Sequence, residues 1–458
     1  MSAYLFTTLP TDDLGLLTRS IPIAAELAQH GHKIVFCSPA KAPSRLIAEA
    51  GFENPLPRHP LFDLIAGDQS LRWLAGFIVS GGWRGRYSHL STFLRDLVVA
   101  LPIKSAPKTT EIWNADHAGA LMGMLNGGFV RANCKALTTL IVESGADVVV
   151  DFWNPFAVIA ARALHKPVVS VIQADAHPRS QGFIWWKPPP ATIPTPVPVV
   201  NKILMEYGLP PVGALGELSV GDLTLVVGTP EMDPLPDGAD VTYVGPILWQ
   251  QPGAQLPDWI GALSGDTPLV WVYSGNPHYA FAGATLDSAV VIQATIAALA
   301  GERVQVVLAT GRHPLPKGVL PLPANFRHEP YVPGLAMAER CDALIHHGGY
   351  GSCQTGLYAG KPAVIIPTFS ERESNARRVA ALGAGAIVPV ERVRGKKQVD
   401  AEALRMTVRR VLSDPSFANN ARRAAERLRA YGGASQAAQL IEQFTRSRVM
   451  DGRVAPLE

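Results

Sequence analysis

Residues 346–376 read HHGGYGSCQTGLYAGKPAVIIPTFSERESNA, and their pattern decides how the second half of the chain folds. An apolar run, Ala343 to Ile345, leads into two histidines and a glycine-rich turn, and a second apolar run, Ala363 to Ile366, follows a helix-compatible stretch. Strand, glycine turn, helix and strand form the unit of an open parallel sheet. Small residues let backbone N–H groups approach a ligand, and a helix N-terminus favours negative charge. The stretch therefore predicts a cradle for a diphosphate.

Two common glycine-loop motifs do not match this stretch. A dinucleotide fingerprint needs glycine at its sixth place, and counting from Gly349 that place holds Gln354. A phosphate-binding P-loop has four residues between its two glycines, whereas only three separate Gly356 from Gly360. Pro362 also stands where the P-loop has serine or threonine after its lysine. The cradle is therefore of another kind.

The segment resembles the donor-binding motif of family 1 glycosyltransferases, the UDP-glycosyltransferase-like enzymes of the GT-B fold, and among them the bacterial natural-product or lipid type. That motif reads H-x-G-[WAY]-[NG]-[ST], then A-G-x-P, an acidic residue followed by glutamine, and N-A. The chain supplies His347 to Ser352, Ala359 to Pro362, Glu371-Arg372 and Asn375-Ala376 in register. The alternative, an ordinary turn of an α/β protein, leaves this set of spacings unexplained.

Composition sets the class of protein. At 458 residues the chain is long for one hydrophobic core, and 47% hydrophobic with 17% charged residues is typical of a well-buried α/β enzyme. The net charge of +3 is small, and the basic run Arg392 to Lys397 has no interleaved aromatics, so a nucleic-acid partner is not expected.

The cysteines and the apolar runs of the sequence indicate in which cellular compartment the protein works. The four cysteines are scattered singly, which indicates reduced thiols rather than disulfides or zinc ligands. No signal peptide and no apolar run long enough to span a bilayer are visible, so a cytoplasmic location is expected, with peripheral membrane contact left open. Whether the protein is a monomer or a homodimer also stays open.

The order of apolar runs predicts two consecutive βα series. The first begins with Tyr4 to Phe6 and a helix from Leu17 to Gln29, whereas the proline-rich stretch 188–211 favours extended loop. The resemblance then implies two Rossmann-like domains facing each other across a cleft. These are an acceptor-binding domain (1–245), a linker (246–262), a nucleotide-sugar donor-binding domain (263–435), and a C-terminal helix and tail (436–458) returning to the first domain.

The resemblance assigns the diphosphate to the glycine loop. His347 stands where the family's histidine donates to a phosphate oxygen, and Ser352 adds a hydroxyl. His346 is expected to pack against the sheet instead. The remaining donor positions implied near the phosphates are Ser274, Gly275, Asn276, Gly349, Gly351 and Asn375.

The nucleoside and sugar positions depart from the family pattern. Tyr331 and Val332 occupy the segment in which an aromatic ring stacks on uracil and the next backbone reads the base edge, and Thr310 lies where the base pocket is completed. Gly334 and Thr355 replace two ribose-binding residues, so the choice between UDP and TDP stays open.

Of the two residues that the resemblance assigns to the sugar, one matches the family pattern and one departs from it. Glu371 stands where the family's carboxylate accepts hydrogen bonds from sugar hydroxyls, and Arg372 replaces the usual glutamine. An arginine facing the donor would suit a sugar other than plain glucose, such as one with a carboxylate or lacking a hydroxyl. The alternative is a surface arginine paired with a neighbouring glutamate.

The catalytic base is where the family pattern breaks. Asp151, at the end of an apolar strand, matches the aspartate that orients a catalytic histidine, but Leu16 stands at the histidine position. Asp13 and Asp12 lie just upstream and are the candidate bases, although capping a helix is the commoner role of such aspartates. His177 is a reserve candidate, and an acceptor that needs no base is a further alternative.

The acceptor side is characterised by aromatic residues in segments that look irregular, which suit a flat apolar small molecule, although core packing explains many tryptophans. The candidate acceptor-pocket residues are Trp73, Trp83, Trp113, Trp153 and Trp185. The predicted function is an inverting transfer of a sugar from UDP- or TDP-sugar, without a bound metal or permanent cofactor. A catalytically reduced sugar-nucleotide-binding protein and a GT-B sugar-nucleotide epimerase are the alternatives.

Overall fold

The computed structural model describes residues 1–9, 14–38, 41–55, 79–81, 84, 88–100, 106, 109–251, 253–275, 288–311 and 313–450. Two six-stranded parallel sheets, one in each half of the chain, form the framework. This is the α/β architecture that the sequence predicts.

The first sheet has the order β2-β1-β3-β4-β5-β6. Its strands are β1 (Ala3–Thr8), β2 (Lys33–Cys37), β3 (Val148–Phe152), β4 (Val168–Ile172), β5 (Leu223–Val226) and β6 (Thr242–Tyr243). The second sheet has the order β12-β11-β10-β7-β8-β9. Its strands are β7 (Leu269–Tyr273), β8 (Gln305–Ala309), β9 (Phe326–Glu329), β10 (Ala343–His346), β11 (Ala363–Ile365) and β12 (Gly385–Ile387). A small antiparallel hairpin, β13 (Glu391–Val393) and β14 (Lys396–Gln398), follows them.

The helices connect and cover these strands. In the first half they are α1 (Leu14–Gln29), α2 (Lys41–Glu49), α3 (Leu90–Ala100), α4 (Ala115–Leu121), α5 (Gly127–Ser144), α6 (Pro155–Ala163) and α7 (Val197–Glu206). In the second half they are α8 (Asp258–Gly261), α9 (Ser288–Leu299), α10 (Gly334–Arg340), α11 (Tyr350–Tyr358), α12 (Ser370–Ala381), α13 (Ala401–Ser413), α14 (Pro415–Arg429) and α15 (Gly433–Met450).

The core lies on both faces of each sheet. All six residues of β1 and all five of β3 are buried, as expected for parallel strands covered by helices on two sides. Helix α1 turns Leu17, Ile21 and Ala24 inward at helical spacing. The continuous apolar runs in the sequence are therefore the central strands.

The last helix, α15, follows the second half of the chain and packs against the first. Thr445 Oγ1 lies 3.1 Å from the Tyr4 hydroxyl at the start of β1. Glu442 Oε1 lies 2.8 Å from His30 Nδ1 and 3.0 Å from His32 Nε2, both at the end of α1. These contacts tie the end of the chain to the first sheet.

Two elements differ from the sequence-based expectations. The proline-rich stretch 188–211 is not all loop, because α7 (Val197–Glu206) forms there with proline in its first turn, where no N–H is needed. The edge strand β9 was not expected, because its sequence FRHE lacks an apolar run. No helix in the described parts of the chain is long and apolar enough to cross a membrane.

Candidate active site

The strand order of both sheets points to one region. In the second sheet, β7 lies between β8 and β10, and in the first sheet β1 lies between β2 and β3. Ligands of open parallel sheets bind at the carboxyl ends of strands beside such reversals. A cavity of about 470 Å³ lies there and is lined by residues from both halves of the chain.

The glycine loop forms one wall of this cavity. Gly348 has a φ of +86°, a conformation that side chains disfavour, and the chain then enters α11 at Tyr350. The first N–H groups of a helix have no partner within it, so those of Gly351 and Ser352 suit an anion. Gly349, Gly351 and Ser352 line the cavity, as the sequence implies for a phosphate site.

His347 also lines the cavity and is held tightly in place. Its ring is buried, with Nδ1 3.5 Å from the carbonyl oxygen of Tyr273, and a Cβ added to Gly275 would stand only 2.7 Å from its Cε1. Burial, with smaller contributions from Arg372 and His346, holds the pKa of His347 well below its usual range. The imidazole is therefore neutral before a ligand arrives.

The turn after β7 completes the phosphate region. Gly275 lines the cavity at a φ of +84°, whereas Ser274 is buried beside it and does not line the cavity. Asn276 lies outside the described residues. His346 is buried, and its Nδ1 accepts a hydrogen bond of 3.1 Å from the N–H of Gly348.

A hydrogen-bond chain connects the glycine loop to the sugar residues. Asn375 does not line the cavity, but its Nδ2 donates to Gly348 O at 3.0 Å and to Glu371 Oε1 at 2.7 Å. Glu371 lines the cavity at the start of α12. Asn375 therefore fixes the loop and the carboxylate relative to each other rather than facing a ligand.

Arg372 lies inside the protein, so the surface placement considered for it from the sequence is wrong. Only 5% of the residue is exposed, and it lines the cavity. Its Nη1 donates to Thr368 Oγ1 at 2.9 Å, and its guanidinium stacks 4.8 Å from the ring centre of Phe369. A fixed cation therefore stands next to Glu371 and His347.

Two aromatic residues of the second half line the cavity. Tyr331 does so together with Val332 and Gly334, and so does Trp271, which sequence reasoning missed because it is an apolar residue within β7. Trp271 Nε1 is buried with no hydrogen-bond partner among the described residues. Thr310 is buried and does not line the cavity, and its hydroxyl contacts His313 O and His328 Nε2.

The first half of the chain supplies the opposite wall, which is largely apolar. Leu16 lines the cavity, as do Leu9, Ile112 and Phe183. Trp153 lines it too, with a φ of +63° directly after β3. Of the tryptophans singled out for the acceptor pocket, Trp153 is thus placed at the cavity.

Two other candidate tryptophans, Trp113 and Trp185, are absent from the cavity wall. Trp185 does not line the cavity, since its Nε1 donates to Ser374 Oγ of α12 at 2.9 Å and so links the two halves. Trp113 is also absent from the cavity wall and packs against Lys187. Trp73 and Trp83 lie outside the described residues.

The catalytic candidates from the sequence that fall within the described residues, Asp151 and His177, do not line the cavity. Asp151 is fully buried behind the wall, where its carboxylate accepts from Thr7 Oγ1 at 2.7 Å and from the N–H of Asn154 at 3.1 Å. His177 is buried away from the cavity and accepts from the N–H of Arg179. Asp12 and Asp13 lie outside the described residues.

Several polar residues that sequence reasoning missed line the cavity on the first-half side. Among them are Arg19 on α1 and Gln173 and Asp175 just after β4. Arg19 Nη2 donates to Gln173 Oε1 at 3.3 Å, and its guanidinium lies 5.1 Å from the Tyr350 ring centre. Their sequence signal was weak, since each is a single polar residue in an apolar context.

Buried polar contacts join the two walls. The Tyr350 hydroxyl, on α11, lies 2.5 Å from Asp233 Oδ2 and 2.9 Å from Val227 O. Arg378 Nη1, on α12, donates to Asp233 Oδ1 at 2.9 Å. Burial raises the pKa of Asp233 to about 6, against the opposing effect of Arg378. The glycine loop is thereby fixed against the first half.

Residues 292–442 match the family described as "Erythromycin biosynthesis protein CIII-like, C-terminal domain". The chain is 32% identical over 204 residues to 4'-demethylrebeccamycin synthase of Lentzea aerocolonigenes, which covers 44% of the chain and 45% of that protein. The chain thus spans less than half the length of this relative. It is 26% identical over 447 residues to O-mycaminosyltylonolide 6-deoxyallosyltransferase of Streptomyces fradiae, covering 93% and 94%.

The fold has solved counterparts. CalG4, the calicheamicin glycosyltransferase, superposes with a TM-score of 0.66 at 20% identity and full coverage of both chains. At that identity the likeness concerns the fold alone. The chain therefore has the GT-B fold, and residues 292–442 within its second half are similar to the C-terminal domain of the erythromycin biosynthesis protein CIII-like family.

Proposed function

We propose that the protein is an inverting, metal-independent glycosyltransferase that moves a sugar from a UDP- or TDP-sugar to a small hydrophobic acceptor. The observation that carries this proposal is a cavity lined both by the glycine loop of one half and by an apolar wall of the other. A binding protein for the nucleotide alone would not need this second wall.

The second-half wall suits a nucleotide sugar from end to end. The base would stack on Tyr331 beside Trp271, and the diphosphate would meet His347 and the N-terminus of α11. The sugar would then lie against Glu371 and Arg372. A charge-assisted hydrogen bond contributes about 1.5–3 kcal/mol, so these contacts account for tight binding of the donor.

Departure of the nucleotide diphosphate leaves negative charge at the glycine loop. Helix α11 directs its N-terminal dipole at that position, and the buried imidazole of His347 is within the same wall. Preorganised donors of this kind stabilise developing charge strongly in a site that excludes water. These groups supply the stabilisation that other enzymes obtain from a bound metal ion.

The acceptor would enter from the first-half side, against Leu16, Ile112, Trp153 and Phe183. An apolar wall of this size suits a flat aglycone rather than a sugar or a peptide. The names of the relatives, a demethylrebeccamycin synthase and a tylonolide deoxyallosyltransferase, support small natural products as acceptors. The second name also supports a deoxy sugar as donor.

Direct transfer tests the proposal. Radiolabelled UDP- and TDP-sugars would be incubated with a panel of flat hydroxylated aromatics, with and without EDTA. Labelled glycoside with inverted anomeric configuration, formed equally in EDTA, is the expected result. Isomerised donor without acceptor would indicate an epimerase, and tight nucleotide binding in calorimetry without any turnover would indicate a binding protein.

A further inference from the structure

Asp175 is a buried residue of the cavity wall whose carboxylate has one oxygen without a hydrogen-bond partner among the described residues. It lies in the short turn Ala174–Ala176 after β4, only 4% of it is exposed, and it lines the cavity. Its Oδ2 has no hydrogen-bond partner among the described residues. Burying an unpaired carboxylate costs several kcal/mol, so a protein that keeps one at a cavity has a use for it.

The charged neighbours of Asp175 are already engaged with other groups. Arg378 makes its ion pair with Asp233, and Arg19 donates to Gly15 O at 2.8 Å and to Gln173 Oε1. Both guanidinium groups attract the Asp175 carboxylate at a distance, and neither forms a salt bridge with it. The Asp175 carboxylate is therefore not neutralised by a salt bridge among the described residues, and its Oδ2 is left for a group that enters the cavity.

Asp175 shares the cavity with the N-terminus of α11 and with the apolar wall. Arg19 lies over the ring of Tyr350, the first residue of α11, and its charge acts on the Asp175 carboxylate. Arg19, Tyr350, Asp175 and Leu16 all line the same cavity. A donor bound at α11 and an acceptor bound at the apolar wall would therefore meet in the space that Asp175 borders.

We propose that Asp175 is the general base, which takes the proton from the acceptor hydroxyl as its oxygen attacks the anomeric carbon of the donor sugar. As the new carbon–oxygen bond forms, the bond from that carbon to the diphosphate oxygen breaks, and the nucleotide diphosphate leaves with the electron pair. The proton rests on Asp175 and then passes to solvent. This inference depends on the proposed function.

The hydrogen bonds of Asp175 suit this task better than those of Asp151. Burial raises the pKa of both carboxyl groups, opposed at Asp175 by Arg378 and Arg19, so the pKa does not separate them. Asp233 and the Tyr350 hydroxyl are the other titratable groups that interact with it. Asp151, by contrast, has its oxygens occupied by Thr7 and Asn154.

The test uses acceptors of graded acidity with the wild type and the Asp175→Asn variant. With an unactivated alcohol, the variant should lose on the order of a hundredfold or more in kcat. With a nitrophenol, which is largely ionised before it binds, the two proteins should differ little. A merely structural role would lower both rates alike, so a uniform loss would overturn the inference.

Matched variants separate the possible failures. Glu206→Gln changes an exposed carboxylate that pairs with Arg131 away from the cavity, and should leave both rates unchanged. Nucleotide affinity of Asp175→Asn should stay at the wild-type value. Full alcohol transfer by Asp175→Asn, or loss only in Asp13→Asn or Asp12→Asn, would overturn the role of Asp175 while leaving the transferase intact. No transfer by wild type with any acceptor would instead reject the proposed function, and the inference with it.

Discussion

The two walls of the cavity are assembled differently along the chain. The donor wall takes His347, Gly349, Gly351 and Ser352 from one loop and its helix, with Glu371 and Arg372 at the start of the next helix. The acceptor wall takes single residues from separate places, among them Leu9 after β1, Leu16 on α1, Trp153 after β3 and Asp175 after β4. One wall is a local motif, and the other exists only once the first sheet has formed.

The acceptor side also contains two buried aspartates with different surroundings. Asp151 lies within β3, one residue before its end, and both its carboxylate oxygens accept hydrogen bonds from Thr7 and Asn154. Asp175 follows the neighbouring strand and has one oxygen without a partner among the described residues. Burial alone therefore does not identify a functional carboxylate. The comparison assigns Asp151 to the framework and Asp175 to the chemistry.

The largest expected effect concerns the framework aspartate. Burial raises the pKa of Asp151 from its ordinary 3.8 to about 7, which corresponds to about 4 kcal/mol of unfolding free energy. Since the folded state holds this proton up to higher pH than the unfolded state, the contribution makes stability fall as pH rises from about 4 to 7.

Asp151→Asn should flatten this dependence, as measured by chemical unfolding across that pH range. A variant with the wild-type slope would show that the Asp151 carboxyl does not titrate in this window. A loss of sugar transfer to alcohols without any change in stability would indicate that Asp151 acts in the reaction.

The next largest effect is expected from a substitution that displaces His347 in the donor wall. Gly275→Ala would add a Cβ 2.7 Å from His347 Cε1 at a φ of +84°, and such strained conformations cost about 1–3 kcal/mol before His347 is displaced. UDP or TDP affinity in calorimetry should fall about a hundredfold. Gly265→Ala, where no atom lies within 4 Å of the added Cβ, is the matched control and should bind normally.

His347→Ala should weaken nucleotide binding by about 2 kcal/mol, roughly thirtyfold, because a hydrogen bond to the diphosphate is lost. The side chain lines the cavity in the donor wall, so acceptor affinity should change little. Calorimetry with UDP and TDP measures the effect. Unchanged affinity would remove the assignment of the diphosphate to this wall.

Arg372→Gln tests sugar choice within the donor wall. Its guanidinium is fixed by Thr368 and Phe369 at the cavity, so its loss should shift relative rates towards glucose donors by about tenfold, the value of one charge-assisted bond. Arg377→Gln, which contacts Glu373 and Trp186 away from the cavity, is the control. Equal shifts in both variants would contradict a role in sugar recognition.

The smallest effect concerns the link between the walls. Trp185→Phe removes the 2.9 Å hydrogen bond to Ser374 and should lower stability by about 1 kcal/mol. The KM for acceptor should stay unchanged, because Trp185 does not line the cavity. A large rise in that KM would place Trp185 in the acceptor pocket after all.

Local signals explain what the sequence predicted well. Parallel strands buried on both faces leave continuous apolar runs, and a glycine turn before a helix leaves a fixed spacing of small residues and histidine. These signals predicted the α/β class and the glycine loop at the cavity. Helix α7 and the edge strand β9 were missed because proline suits a helix's first turn and because an edge strand needs no apolar run.

By itself, then, the sequence determined the two parallel sheets and the donor loop, because both depend on residues close together along the chain. Only the tertiary structure decided that Arg372 lies inside, that Trp185 joins the halves and that Asp175 faces the cavity. Each of these outcomes depends on which distant residues occupy the surrounding space. A lone aspartate near the end of a strand has the same sequence signal whether both its oxygens accept hydrogen bonds, as in Asp151, or one oxygen is left without a partner among the described residues, as in Asp175.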